Sequence, residues 1–98
     1  MTFVQVIDCR TDRYADLAAL DAEWQAATAG QHRVRRQIVA RDRHDPKRHL
    51  VFVFFDSAAD AAYNSDLPAT QEGAAKYAAL MEGPPTFIDL DILSDEAF

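Results

Sequence analysis

Three consecutive polar residues, Asn64, Ser65 and Asp66, stand shortly before a proline. The first two side chains can donate hydrogen bonds to a ligand, and the carboxylate of Asp66 can accept a proton. His49 is the second candidate proton acceptor, because imidazole changes its protonation state near neutral pH. The same polar run also suits a helix break, where its side chains would cap loose backbone groups. The sequence leaves both interpretations open, so Asn64, Asp66 and His49 are candidate catalytic residues only.

Aromatic residues that could form the walls of a pocket around these groups are Trp24, Phe55, Tyr63 and Tyr77, with Ser65 as a further ligand contact. Tryptophan and tyrosine offer a large apolar body with one polar atom, which suits an aromatic ligand. Each has a plainer interpretation. Trp24 lies on an apolar helical stripe and is typical of core packing, and both tyrosines resemble core residues with a solvated hydroxyl. His49, which begins a strand beside a charged hairpin, is expected to be exposed.

Other kinds of site are disfavoured. The three histidines are scattered, and no Glu/His pair has helical spacing, so we predict no metal site. Three glycines are too few for a phosphate-binding glycine loop, and no serine-nucleophile motif occurs. We therefore predict no cofactor.

The length of 98 residues predicts one domain spanning residues 1–98. A net charge of -6 argues against binding to nucleic acid or to an anionic membrane. Arginines are nevertheless concentrated in residues 33–48. A hairpin with a charged, solvated face explains them best, and contacts with an anionic ligand or a partner chain are the alternative.

The single cysteine, Cys9, cannot form an internal disulfide, which favours a reducing compartment. No basic start followed by an apolar run appears, and no apolar stretch is long enough to span a bilayer. These features predict a cytoplasmic protein without a membrane partner.

Alternation and helical spacing divide the chain into strands and helices. The first half contains a strand over 3–9, a helix from Thr11 or Asp12 to Thr28, a strand over 32–42, a polar connection over 42–48 and a strand over 49–55. A helix follows, which Ser57 caps and which breaks near Ser65–Leu67. A segment from Thr70 to Glu82, capped by Thr70, and a strand over 86–93 complete the order. Pro68 causes the break because it disfavours helical geometry in the preceding residue.

The order of strands and helices predicts an α+β, ferredoxin-like βαββαβ fold, in which helices cover one face of a four-stranded antiparallel sheet. The strand His49–Phe55 is apolar on both faces. Either its phenylalanine face (Phe52, Phe54) or its Val51 face would then lie uncovered in a monomer. An apolar patch of this kind usually marks an interface, so we predict a homodimer that packs two open sheet faces together.

Two segments carry a resemblance to a known family, Phe54-Phe55-Asp56-Ser57 and Ala61–Asp66. With the element order, they make the chain resemble the dimeric α/β-barrel superfamily, and within it the antibiotic-biosynthesis-monooxygenase-like domains. Residues 64–70 and 83–87 also look like a pattern of uncharacterised small actinobacterial proteins of this type. The resemblance implies a dimeric α/β barrel.

The family also includes oxygenases that oxidise aromatic polyketides or quinols without metal or flavin, and haem-degrading enzymes. The haem-degrading branch is disfavoured, because its catalytic Trp and His would fall near Ala62 and Glu72, and its Asn near residues 6–8. Two functions stay open. One is a non-catalytic homodimer that binds a small molecule or acts as a scaffold, and the alternative is a cofactor-independent monooxygenase acting on an aromatic or quinol-type molecule.

Overall fold

The computed structural model describes all 98 residues. Its elements are β1 (Phe3–Arg10), α1 (Tyr14–Ala27), β2 (Arg36–Asp42), β3 (Asp45–Phe55), α2 (Ala58–Asp66), α3 (Pro68–Ala79) and β4 (Thr86–Asp91). The strands form one antiparallel sheet in the order β2-β3-β1-β4, and the helices lie on one of its faces. This arrangement confirms the predicted ferredoxin-like fold.

The break between α2 and α3 falls at Leu67, whose backbone is extended (φ -60°, ψ 135°). Pro68 enforces that conformation, as predicted, and then occupies the first turn of α3, where its missing N–H costs no hydrogen bond. The Leu67 side chain is buried, so the corner is also held from inside. Ser57 caps α2 as predicted, accepting a hydrogen bond from the Asp60 N–H at 3.1 Å.

Other boundaries differ from the prediction. Thr70 does not cap α3, because the helix has already begun at Pro68. The first helix begins at Tyr14 rather than at Thr11, whose hydroxyl instead accepts from the Arg13 N–H and donates to the Leu80 carbonyl. That second bond ties the end of α3 to the end of β1.

The hairpin between β2 and β3 is tighter than predicted. Asp42 pairs with Asp45, so only residues 43–44 form the turn. Asp42 accepts a hydrogen bond from the His44 N–H at 2.8 Å, which stabilises the turn locally. Pro46 fits inside β3 next to a register shift between Arg41 and Asp42, where the ladder is irregular.

The core lies between the sheet and α2. Phe3, Val53, Phe55 and Ala61 form its buried cluster, with Phe55 only 2% exposed. The small Ala61 side chain lets α2 approach the sheet closely. This packing fixes the end of α2 that carries the polar run 64–66.

The opposite face of the sheet carries no helix. Its central residues are Val4 and Val6, flanked by Phe52 and Phe54 of β3 in register. Toward the edges, Ile38, Ile88 and Leu90 are exposed by 37%, 42% and 46%. The phenylalanine face is therefore the uncovered one, and the Val51 face points at the helices. We call the surface formed by Val4, Val6, Ile38, Phe52, Phe54, Ile88 and Leu90 the open face.

The two edge strands differ in charge. All side chains of β4 and nearly all of β2 are exposed. Arg36 and Arg41 lie on β2, whereas Asp89 and Asp91 lie on β4. One edge of the sheet is thus basic and the other acidic.

Candidate functional site

A cavity of about 680 Å³ lies between the helices and the sheet. It exists because α2 packs against the sheet, whereas α1 and α3 pack mainly against each other and stand away from it. Sixteen of its 24 lining residues are hydrophobic, so its walls are chiefly apolar. Such a space suits a small apolar ligand better than a polar or highly charged one.

Aromatic side chains form much of the cavity wall. Those that line it are Tyr14, Trp24, Phe55, Tyr77 and Phe87. Three of the four predicted aromatic contacts, Trp24, Phe55 and Tyr77, are thus brought together around one space. Trp24 lies on α1, Phe55 on β3 and Tyr77 on α3.

Tyr63 lies elsewhere. It is 38% exposed and does not line the cavity. The Arg33 guanidinium stacks over its ring at 3.7 Å from the centroid and pairs with Asp60 at 3.0 Å. Tyr63 therefore helps to hold the segment before β2 against α2.

Trp24 is fixed in orientation by its indole N–H, which donates to the Thr70 hydroxyl at 2.9 Å. This bond crosses from α1 to α3 along the cavity wall, since both residues line it. Thr70 thus has a positioning role for the aromatic wall in place of the predicted capping role.

Asn64 and Ser65 both line the cavity. The Asn64 side chain is buried, and its Oδ1 accepts a long hydrogen bond from the Arg33 N–H at 3.4 Å. Its amide Nδ2 has no partner within the chain and is the free donor. Ser65 donates to the Ala61 carbonyl at 3.1 Å. Neither side chain caps α3.

Asp66 is exposed and does not line the cavity. An α-helix turns about 100° per residue, so Asp66 points away from the side that Asn64 and Ser65 share. The structure therefore brings two of the three polar residues to the cavity and leaves the carboxylate outside.

His49 is only 3% exposed and lines the cavity, so the expectation of an exposed side chain was wrong. It follows the alternation of β3, whose odd-numbered residues face the helices. Arg41 Nε donates to His49 Nε2 at 3.2 Å, which makes Nε2 an acceptor. Nδ1 then carries the proton and donates to the Lys47 carbonyl at 2.9 Å. Both ring nitrogens are therefore already used.

Asp21 is the charged cavity residue that the sequence interpretation missed. Its Oδ2 accepts hydrogen bonds from the side-chain amides of Gln25 at 2.7 Å and Gln37 at 3.1 Å. The spacing Leu17–Asp21–Trp24, by four and then three residues, places it on the inner stripe of α1. An acidic residue in step with that apolar stripe was the available signal.

Tyr77 contributes a phenol to the same cavity. Burial raises the pKa of Tyr77 to about 12, and the carboxylates of Asp21 and Glu23 add to the effect. The hydroxyl is therefore protonated at neutral pH and can donate a hydrogen bond to a ligand.

No group of three or more His, Cys, Asp or Glu side chains is placed to hold a metal ion. The arginines concentrated in residues 33–48 are mostly engaged within the chain. Arg33 binds Asp60, Arg35 lies near Asp56, and Arg48 bridges Asp8 and Asp42. No helix of the structure has the length and apolarity needed to cross a bilayer.

No protein-family model matches the sequence, and a search of curated proteins finds no significant relative. Solved structures do match. A candidate antibiotic biosynthesis monooxygenase from Nitrosomonas europaea is 14% identical, with a TM-score of 0.74 over 94% of this chain and 90% of that one. Another, from Deinococcus radiodurans, is 13% identical, with a TM-score of 0.76 over 98% and 97%.

A protein from Mycobacterium tuberculosis gives a TM-score of 0.77 at 15% identity, over 99% of this chain and 100% of that one. Identities this low establish a shared fold and carry no residue roles. The chain therefore has the ferredoxin-like fold of the antibiotic-biosynthesis-monooxygenase-like structures.

Proposed function

We propose that the protein binds a small, largely apolar molecule with an aromatic core in the cavity between its helices and its sheet. The observation that carries this proposal is the cavity itself. Its volume of about 680 Å³ lies within the range of small-molecule sites, about 300–1,000 Å³. Its walls combine aromatic rings with a few convergent polar atoms, as such sites usually do.

Binding without turnover is the simpler form of this proposal. Of the two predicted proton acceptors, His49 has both nitrogens engaged and Asp66 lies outside the cavity. Neither is placed to take a proton from a bound ligand without rearrangement. A ligand would instead meet two donors, the Tyr77 hydroxyl and the Asn64 amide, and one acceptor, the Asp21 carboxylate.

A cavity-filling substitution tests the proposal. Ala74 lines the cavity, whereas the next residue of α3, Ala75, does not. We expect Ala74→Phe to reduce calorimetric binding of naphthalenemethanol by about tenfold or more, because the new ring occupies the ligand's space. Ala75→Phe is the matched control and should bind like the parent. Equal binding by all three proteins would contradict the proposal.

Cofactor-independent oxidation is the second candidate. It is supported by the meeting of Asn64, Ser65 and Tyr77 in one cavity and by the names of the structural neighbours. In such a reaction an anthrone methylene becomes a carbonyl, one atom of dioxygen enters the product, and the other leaves as water. The protein would orient the substrate, stabilise its anion with hydrogen-bond donors and exclude water.

Oxygen uptake with a panel of quinols and anthrones tests this candidate. If the Asn64 amide stabilises the substrate anion, Asn64→Ala should lower the rate by about 10²-fold, the typical effect of losing one such donor. Asn64→Asp removes the donor and keeps the acceptor for the Arg33 N–H. Asp66→Ala is the control and should leave the rate unchanged, because Asp66 faces away. No turnover of any panel member would leave only the binding role.

A homodimer through the open face completes the proposal. Exposed apolar side chains toward both edges of this face, Ile38 on β2 and Ile88 and Leu90 on β4, support it, because apolar surface on soluble proteins commonly marks interfaces. A cytoplasmic location is proposed with it, on the support of one free, buried thiol at Cys9.

A further inference from the structure

Asp21 is the only charged residue in the cavity wall. No lysine or arginine lines the cavity, and Asp21 forms no salt bridge anywhere in the chain. The cavity therefore contains one negative charge without a cationic partner. Asp21 is half-buried among chiefly apolar walls, where such a charge influences what can bind.

One of the two oxygens of the Asp21 carboxylate already accepts hydrogen bonds from the protein. Both glutamine amides, from Gln25 and Gln37, donate to Oδ2, whereas Oδ1 accepts no hydrogen bond from the protein. The two amides hold the carboxylate in place on α1 and across to β2. They thereby leave one fixed acceptor for a ligand.

The surroundings of Asp21 suit a cation. Trp24 lines the cavity three residues beyond Asp21 on the same helix, and Tyr77 lines it from α3. Aromatic faces attract ammonium groups through their quadrupoles, and a carboxylate adds a charge-assisted hydrogen bond. A ligand carboxylate would instead meet repulsion and find no cation.

We propose that the cavity selects an aromatic ligand carrying an ammonium group, which binds Oδ1 of Asp21, and that it rejects aromatic carboxylates. This inference rests on the proposed binding function and adds the chemical class of the ligand. It assigns Asp21 as the residue that determines specificity.

Calorimetry with four ligands of one ring system tests the inference on the parent protein: naphthylmethylamine, naphthalenemethanol, methylnaphthalene and naphthoate. We expect the amine to bind about tenfold tighter than methylnaphthalene, since hydrogen bonds between charged groups are stronger than those between neutral groups. Naphthoate should bind most weakly. This comparison does not depend on any variant folding correctly.

The variant Asp21→Asn should lower the affinity for the amine to the affinity for naphthalenemethanol. It should leave the affinity for methylnaphthalene unchanged. Glu23→Gln is the matched control, because it removes the same charge from an exposed position of α1 outside this cavity. If both variants lower the affinity for the amine equally, the net charge of the protein and not Asp21 is responsible, and the inference is overturned.

The remaining outcomes distinguish failure of this inference from failure of the proposed binding function. Binding of naphthoate or naphthalenemethanol as tight as that of the amine would overturn the inference and leave the proposed binding function standing. Failure of all four ligands to bind would overturn both.

Discussion

At the scale of single residues, His49 and Asp21 differ in whether their polar atoms are already used. Both nitrogens of His49 are engaged, by Arg41 and by the Lys47 carbonyl, and its ring stacks on Tyr14 at 5.3 Å. Asp21 lines the cavity, and its Oδ1 accepts no hydrogen bond from the protein. The role of each residue here therefore depends more on its hydrogen-bond partners, which its backbone position determines, than on its residue type.

Tyr77 gives a pH-dependent prediction at this scale. Its pKa is raised from 10.0 to about 12, chiefly by burial, so the folded state holds the phenolic proton more tightly than the unfolded chain. This contribution to stability is complete below pH 10 and is lost as the pH rises through about 12. We expect the free energy of unfolding, from urea titrations across this window, to fall less steeply for Tyr77→Phe than for the parent.

Tyr63→Phe supplies the control for that measurement, because Tyr63 lies outside the cavity and is partly exposed. Identical slopes for the Tyr77 variant and the parent would show that the phenol gains no protection from the fold.

At the scale of strands and helices, much of the fold follows from local rules. The apolar run of β3 predicted a central strand, and Pro68 predicted the corner between α2 and α3. Some of the errors arose where a side chain had a distant partner. Thr70 reads as a cap in the sequence, but its hydroxyl binds Trp24, 46 residues away. Pattern rules do not carry information about such contacts.

The candidate site was less predictable than the fold, for a related reason. Trp24, Phe55 and Tyr77 were identified because aromatic residues on inner stripes are visible in the sequence. Asp21 was passed over because a carboxylate near an apolar stripe normally marks its solvent edge. Here α1 stands away from the sheet, so the inner stripe borders a cavity and not a packed core. That separation is a tertiary property.

At the scale of the whole molecule, the open face predicts the oligomeric state. We expect sedimentation at micromolar concentration to give a mass near twice the 11.0 kDa of the chain. Ile88→Glu should shift the mass toward that of the monomer, because it introduces a charge into an apolar interface. Ile88 is 42% exposed in the single chain, so the change should not disrupt the core.

Phe87→Glu is the matched control for the dimer, since Phe87 is the preceding residue of β4 and faces the other side of the sheet. It should leave the mass unchanged. A parent protein that sediments at 11.0 kDa would refute the interface.

The opposite charges of the two sheet edges affect the protein's resistance to aggregation. An edge strand with free N–H and C=O groups can add a strand from another copy and so begin a cross-β filament. If two copies joined through their β2 edges, Arg36 and Arg41 of one copy would lie against the same residues of the other. Joining through two β4 edges would do the same with Asp89 and Asp91. Like-edge joining is therefore repelled at low ionic strength, whereas joining of the β2 edge of one copy to the β4 edge of another is attracted. Concentrated salt, where the screening length falls to about 3 Å, weakens both effects.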